Sequence, residues 1–140
     1  MIVLDTNVVS ELMRPQPEPV VLAWAASRLR AELFTTSITK AEIFYGIALL
    51  PQGRRKTILI EGAERIFGVS FADRVLAFDT AAAERYGDVA MKRRRAGKPI
   101  SALDAQIAAI ALSAGAVVAT RDVDDFQGCG VEIVNPWIVA

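Results

Sequence analysis

Four carboxylates in this chain stand where apolar stretches meet polar ones: Asp5 closes MIVLD, Glu42 lies in TTSITKAE, Asp104 in ISALD and Asp122 in ATRDVDD. Asp5 is the most pointed of them. It follows Ile2, Val3 and Leu4 directly, Thr6 and Asn7 come next, and no Lys or Arg appears before Arg14. Charged groups are rarely buried at the mouth of a strand without a partner, so something must offset this one.

If such carboxylates meet within about 5 Å, each pair repels by roughly 3 kcal/mol at an effective dielectric of about 20. A cluster of them must then protonate in part or hold cations. The chain has no histidine and a single cysteine, Cys129, which excludes imidazole acid–base chemistry, Ser-His triads, His-ligated zinc and an intrachain disulfide. What remains is a set of hard oxygen donors, suited to Mg²⁺ or Mn²⁺. A carboxylate-held pair of such ions suits phosphodiester hydrolysis: one ion lowers the pKa of an attacking water, and both neutralise charge building on the phosphate. On this reading the counterion of Asp5 is a metal.

A plainer reading stands beside it. Thr39 to Glu42 spells T-x-x-E and Ser101 to Asp104 spells S-x-x-D, both of which match a helix capping box in which the acid only satisfies a free backbone N–H. Asp122 could cap a short turn together with Asp125 in the same way. Asp5 fits this explanation least well.

The elements that must position these acids follow from the apolar pattern. IVL (2–4), LFTTS (33–37), RVLAFD (74–79), AVVAT (116–120) and VEIV (131–134) read as strands. Pro15, Pro17 and Pro19 form a turn before an amphipathic stretch from Val20 to about Arg30. Helices are expected over 38–50, 54–67 and 80–97, and from Ser101 through ALDAQIAAIALSAG. Strands that are apolar throughout and separated by helices indicate a parallel sheet covered on both faces, and ligands gather at the carboxyl ends of such strands. All four acids fall at that edge.

The bulk composition sets outer bounds. A chain of 140 residues is expected to form a single domain, 1–140, with a substantial core. Lys plus Arg and Asp plus Glu are both 16, so any polyanion must be met by a local patch. The apolar fraction is 53% and the mean hydropathy +0.34, yet no apolar run approaches the roughly 20 residues of a membrane span. No signal peptide is evident, so a cytoplasmic location is expected.

With these features in place, IVLDTNVVSELMRP, TTSITKAEIFYGIALLPQG, GKPISALDAQIAAIAL and ATRDVDDF with VNPW, taken together, resemble VapC/FitB-like PIN-domain proteins, the toxins of bacterial type II toxin–antitoxin pairs. The likeness covers essentially the whole chain, in the family's order and spacing. It implies a three-layer α/β/α sandwich on a parallel sheet of about five strands and a metal-dependent endoribonuclease. Carried over residue by residue, the family's acids fall on Asp5, Glu42, Asp104 and Asp122 as catalytic and Mg²⁺ or Mn²⁺ ligands. Asn7 and Thr120 fall on supporting polar positions beside them, and Asp125 is a weaker candidate for the last acid. The resemblance further implies an RNA substrate, a cognate antitoxin, a homodimer, and contact with operator DNA only through the antitoxin.

Several signals admit two readings. Lys92, Arg93, Arg94, Arg95 and Lys98 form a basic run that either grips RNA phosphates or sits in water at a helix C-terminus, favouring the dipole. Arg121 either binds substrate or pairs with Asp122. Trp24, Phe44, Tyr45, Ile47, Leu49 and Leu50 exceed the needs of one core face; they read first as packing on adjacent helix faces and second as a groove for a partner helix. Cys129, between two glycines, reads as a small residue in a tight loop, and Trp137 as packing the terminus down.

Two other functions share the opening motif. An aspartyl-nucleophile phosphatase also begins strand-Asp-Thr, but it usually carries a second Asp two positions on, where this chain has Asn7. A catalytically silent partner-binding module would use the acids only as caps and the apolar groove as its working surface.

Overall fold

The computed structural model describes residues 1–138. Five parallel strands form one sheet in the order β3-β2-β1-β4-β5, built from β1 (Ile2–Leu4), β2 (Leu33–Thr36), β3 (Val75–Leu76), β4 (Val117–Ala119) and β5 (Ile133–Val134). β1 lies at the centre, with Val3 opposite Phe34 of β2 on one side and Val118 of β4 on the other. Helices cover both faces, giving the expected α/β/α sandwich.

Alternation along the strands divides the core into two layers. Val3 and Val118 face α5 (Thr80–Arg95) and α6 (Ala102–Ala114), where they pack with Val89, Ile107 and Phe126. Leu4, Leu33 and Ala119 face the other way, onto α1 (Thr6–Met13), α3 (Ser37–Ala48) and α4 (Arg54–Arg65), packing with Val8, Val9, Ile43, Ile47 and Phe67. Ala105, Ala108, Ala109 and Ala111 of α6 are fully or almost fully buried, and their small side chains let the helix lie close to the sheet. Gly115 ends this helix with φ 66°, a left-handed conformation in which a Cβ would be strained.

Several boundaries differ from the sequence reading, each for a local reason. Residues 6–13 form α1 and not a plain approach to the proline turn: Asp5 caps the helix, and the chain leaves it at Arg14, which Pro15 biases towards extended backbone. α2 spans Pro19–Ala26, with Pro19 in its first turn, and is shorter than 20–30 because a single 3₁₀ turn at Arg30–Glu32 leads into β2. The helix over 54–67 gives way to a π-helical turn at Ile66–Ser70. The strand expected over 74–79 pairs only at Val75–Leu76, since β3 is an edge strand and Asp79 already caps α5 by accepting from the Ala82 N–H at 2.9 Å. Of the apolar surplus, Ile47 is buried and Trp24 and Phe44 pack against the core, whereas Tyr45 and Leu49 are 67% and 68% exposed. Among the described residues, no helix is long and apolar enough to cross a membrane.

Candidate active site

Asp5, Glu42, Asp104 and Asp122 line one open cleft of about 560 Å³ at the carboxyl edge of β1 and β4. The loop leaving β1 delivers Asp5, the second turn of α3 Glu42, the first turn of α6 Asp104, and the residue before the short α7 (Val123–Phe126) Asp122. Thr6, Asn7, Ser10, Glu11, Arg14, Arg121 and Trp137 complete the wall.

Asp5 is 5% exposed, and both of its carboxylate oxygens accept hydrogen bonds. Its Oδ1 accepts from the Thr6 N–H at 2.8 Å, and its Oδ2 accepts from the Thr120 hydroxyl at 2.8 Å and from Asn7 Nδ2 at 3.3 Å. The Asp5 N–H donates to the Ala119 carbonyl at 2.9 Å, extending the β1–β4 ladder to the site. Asp5 therefore does have a capping role, contrary to the expectation that it fits such a role least well. The cap does not account for its titration, however. Burial lifts its pKa from 3.8 to about 6, against the opposing effect of the Thr120 and Thr6 bonds, and the charges of Asp104 and Glu42 push it the same way.

Glu42 is held by a chain of hydroxyls. The Thr6 hydroxyl donates to Glu42 Oε1 at 2.9 Å and lies 3.1 Å from the Thr39 hydroxyl, which in turn lies 3.4 Å from that of Thr36. Thr6 thus binds two acids, Asp5 through its backbone and Glu42 through its side chain. The capping-box reading of Glu42 fails because Thr36, not Thr39, caps α3, accepting from the Thr39 N–H at 3.1 Å. Burial raises the Glu42 pKa, the Thr6 bond lowers it, and the charge of Asp104 raises it again.

Asp104 and Asp122 differ in their anchoring. Ser101 does cap α6, accepting from the Asp104 N–H at 3.2 Å, and burial raises the Asp104 pKa, opposed by the Ser101 bond and reinforced by Asp125 and Asp122. Asp122 makes no side-chain cap to α7, so its capping role with Asp125 is not realised; its Oδ2 accepts from Asn7 Nδ2 at 3.1 Å. Thr120 accepts from the Asp122 N–H at 3.0 Å, so one buried hydroxyl joins the first acid to the last. Asp125 does not line the cleft, yet its charge acts on Asp104.

The basic residues part company. Arg93 is buried, and its guanidinium donates to the carbonyls of Lys98 at 2.8 Å, Asp124 at 2.7 Å and Gln127 at 2.7 Å. The expectation that it grips substrate is overturned: its donors are spent tying α5 to the α7 loop. Arg94 and Arg95 are exposed but do not line the cleft. Arg121 does line it and forms no ion pair with Asp122; its guanidinium lies 5.0 Å from the centre of the Trp137 ring.

Sequence reasoning missed Thr6, Thr39, the Glu11–Arg14 ion pair at 3.2 Å and the position of Trp137 on the cleft wall. Only Thr6 carried a signal, as the residue directly after the buried Asp. Beside the cleft, α1, α3 and α4 enclose a mainly apolar groove of about 850 Å³ lined by Met13, Ile43, Ile47, Leu50, Ile58 and Leu59.

Among the described residues, no three carboxylates converge tightly enough to form a ready-made metal cage. The donor set nevertheless fits a hydrated divalent cation. Mg²⁺ is ordinarily held by one or two carboxylates and retains several waters, and burial first, then the charges of the neighbouring acids, raise the pKa of Asp5, Glu42 and Asp104, which a bound cation would offset.

Comparison with known proteins agrees with this architecture. The model of the PIN domain matches residues 2–128. The chain is 42% identical over 137 residues to the VapC ribonuclease Y4jK of Sinorhizobium fredii, covering 98% of each chain. It is equally 42% identical over 137 residues to toxin FitB of Neisseria gonorrhoeae, covering 98% of this chain and 99% of that one. A solved structure of FitAB bound to an IR36 DNA fragment matches with a TM-score of 0.93 and 41% identity, over 100% of this chain and 98% of the other. The chain belongs to the PIN-domain family, in the group that holds the VapC and FitB toxins.

Proposed function

We propose that this protein is an Mg²⁺- or Mn²⁺-dependent endoribonuclease, the toxin half of a type II toxin–antitoxin pair. The observation that carries the reading is the meeting of Asp5, Glu42, Asp104 and Asp122 on one cleft, with Asp5 lifted to about 6 by burial and by its acidic neighbours. Relatives named as a ribonuclease and a toxin support the substrate class and the biological role.

Asp5, Glu42, Asp104 and Asp122 would hold the ion. When bound, it supplies positive charge for the phosphodiester and acidifies water. The chain's own residues prepare that site. Thr6 fixes the spacing between Asp5 and Glu42, and Thr120 and Asn7 fix Asp5 relative to Asp122. These bonds set the orientation of the carboxylates before any ligand arrives, as the positioning of reacting groups requires.

The apolar groove would take a helical segment of the antitoxin, which would place a partner directly beside the acids, since Thr6 and Glu42 line both spaces. The relative solved as FitAB on DNA supports a complex that reaches DNA. Asn7 at the position two residues after Asp5 donates to Asp5 and Asp122, and so offers no general acid for an aspartyl-phosphatase.

The test is cleavage of a labelled single-stranded RNA by the purified chain with Mg²⁺, with EDTA, and after Asp5→Asn. Cleavage that needs Mg²⁺ and is lost in Asp5→Asn is expected. Undiminished cleavage by Asp5→Asn or in EDTA would overturn the reading.

A further inference from the structure

The acid cleft must admit a polyanion although its own carboxylates repel one, and its cations are few. Arg14 and Arg121 line it. Arg14 is paired with Glu11 at 3.2 Å, and Arg93 nearby is buried on backbone carbonyls. Arg121 is exposed and has no carboxylate partner among the described residues, even though Asp122 follows it directly. Its guanidinium instead lies over the Trp137 indole, 5.0 Å from the ring centre.

Both members of this pair are fixed from behind. The Arg121 N–H donates to Asn7 Oδ1 at 3.3 Å, so its backbone is tied to the residue that also binds Asp5 and Asp122. The Trp137 N–H donates to Asn135 Oδ1 at 2.9 Å, and the ring packs against the apolar layer that contains Leu4 and Val8. A guanidinium on an aromatic face keeps its in-plane N–H donors free, whereas one paired with a carboxylate spends them.

We propose that Trp137 is a positioning residue that holds Arg121 away from the cleft's carboxylates and presents its fork of donors to a backbone phosphate of single-stranded RNA. The role rests on the ribonuclease reading. It assigns work to a tryptophan near the C-terminus and explains why an arginine can sit among acids without being neutralised by them. Freed of the ring, Arg121 would turn to Asp122 and be lost to substrate.

The test is the binding of a fluorescein-labelled 2′-O-methyl single-stranded RNA 12-mer to the intact chain in Mg²⁺, measured over a series of salt concentrations, together with KM and kcat on the unmodified RNA. Removing one phosphate contact lowers the slope of log affinity against log salt by about 0.7 for a single strand. Arg121→Ala should do this and raise KM several-fold with kcat little changed. Trp137→Leu removes no charge, yet it should reproduce the reduced slope and the raised KM. Trp137→Phe, which keeps a ring, should stay near wild type, and Trp137→Leu should add little to Arg121→Ala in the double variant. A purely structural role for Trp137 would lower Tm and leave the slope unchanged. A wild-type slope and KM in either Arg121→Ala or a folded Trp137→Leu would overturn the role while leaving the ribonuclease reading standing. Failure of the wild-type chain to bind or cleave RNA would overturn both.

Discussion

The acid cleft and the apolar groove beside it share Thr6, Ser10, Arg14 and Glu42, yet they are built on opposite terms. The groove is a gap between helices α1, α3 and α4 whose walls gain from being covered, since apolar area removed from water contributes roughly 25 cal/mol per Å². The cleft is a place where the fold is made less favourable: at neutral pH a buried carboxylate is held charged against burial and against its acidic neighbours, and a net of hydroxyl and amide donors keeps it there. One surface asks for apolar contact and the other for positive charge. The shared residues at their boundary give a partner seated in the groove a direct route to the acids.

The comparison is most sharply tested by changing one region and reading the other. Asp5→Asn should reduce Mg²⁺-dependent RNA cleavage by about 10³-fold or more, in line with the loss of a central catalytic group, while leaving binding of the antitoxin in the groove intact. Equal loss of both functions would mean that the two regions are not separable. The reciprocal change, Ile58→Glu, places a charge on the groove wall. It should weaken antitoxin binding by about 30-fold or more, the cost of losing a contact worth some 2 kcal/mol, with cleavage by the free chain within about twofold of wild type. Thr6→Val keeps the shape and removes the hydroxyl that donates to Glu42. Its expected effect is about 10-fold on metal affinity, measured by activation against Mg²⁺ concentration, at the low end for loss of a bond that orients a ligand.

The positions of the four acids were legible because each lies next to a boundary that composition marks: an apolar strand running into polar residues, or a serine or threonine opening a helix. The interactions between them were not. The residues around Asp5 show no nearby cation, and only the family resemblance sets Thr120, 115 positions away, beside the acids; its hydroxyl meets Asp5 only once β4 is paired with β1. The hydroxyl chain from Thr36 through Thr39 and Thr6 to Glu42 likewise depends on α1 lying against α3. Arg93 and Arg121 show the same limit for charge. Within RRR, nothing in the sequence distinguishes the residue whose side chain turns inward to three carbonyls, and nothing next to Asp122 announces that Arg121 will choose an indole 16 positions later. α1 itself was legible in principle, as Asp5 is a good helix cap, but the same side chain also carries the site's charge, so its local role does not stand out in the sequence.

The central claim is that the cleft's carboxylates cost stability until a divalent ion offsets them, and thermal melting of the chain stripped of metal tests it most directly. The Asp5 pKa is raised from 3.8 to about 6 in the fold. The native state therefore holds its proton in a window where the unfolded chain has released it, and stability falls as pH rises from about 4 to 6, then levels off; the full shift corresponds to about 3 kcal/mol. At pH 7.5 without metal, Asp5→Asn should melt above wild type, and this gain should shrink towards pH 4. Adding Mn²⁺ should raise the wild-type Tm in a saturable way and leave Asp5→Asn nearly unmoved. A wild-type Tm indifferent to Mn²⁺, with Asp5→Asn no more stable than wild type above pH 6, would contradict the account.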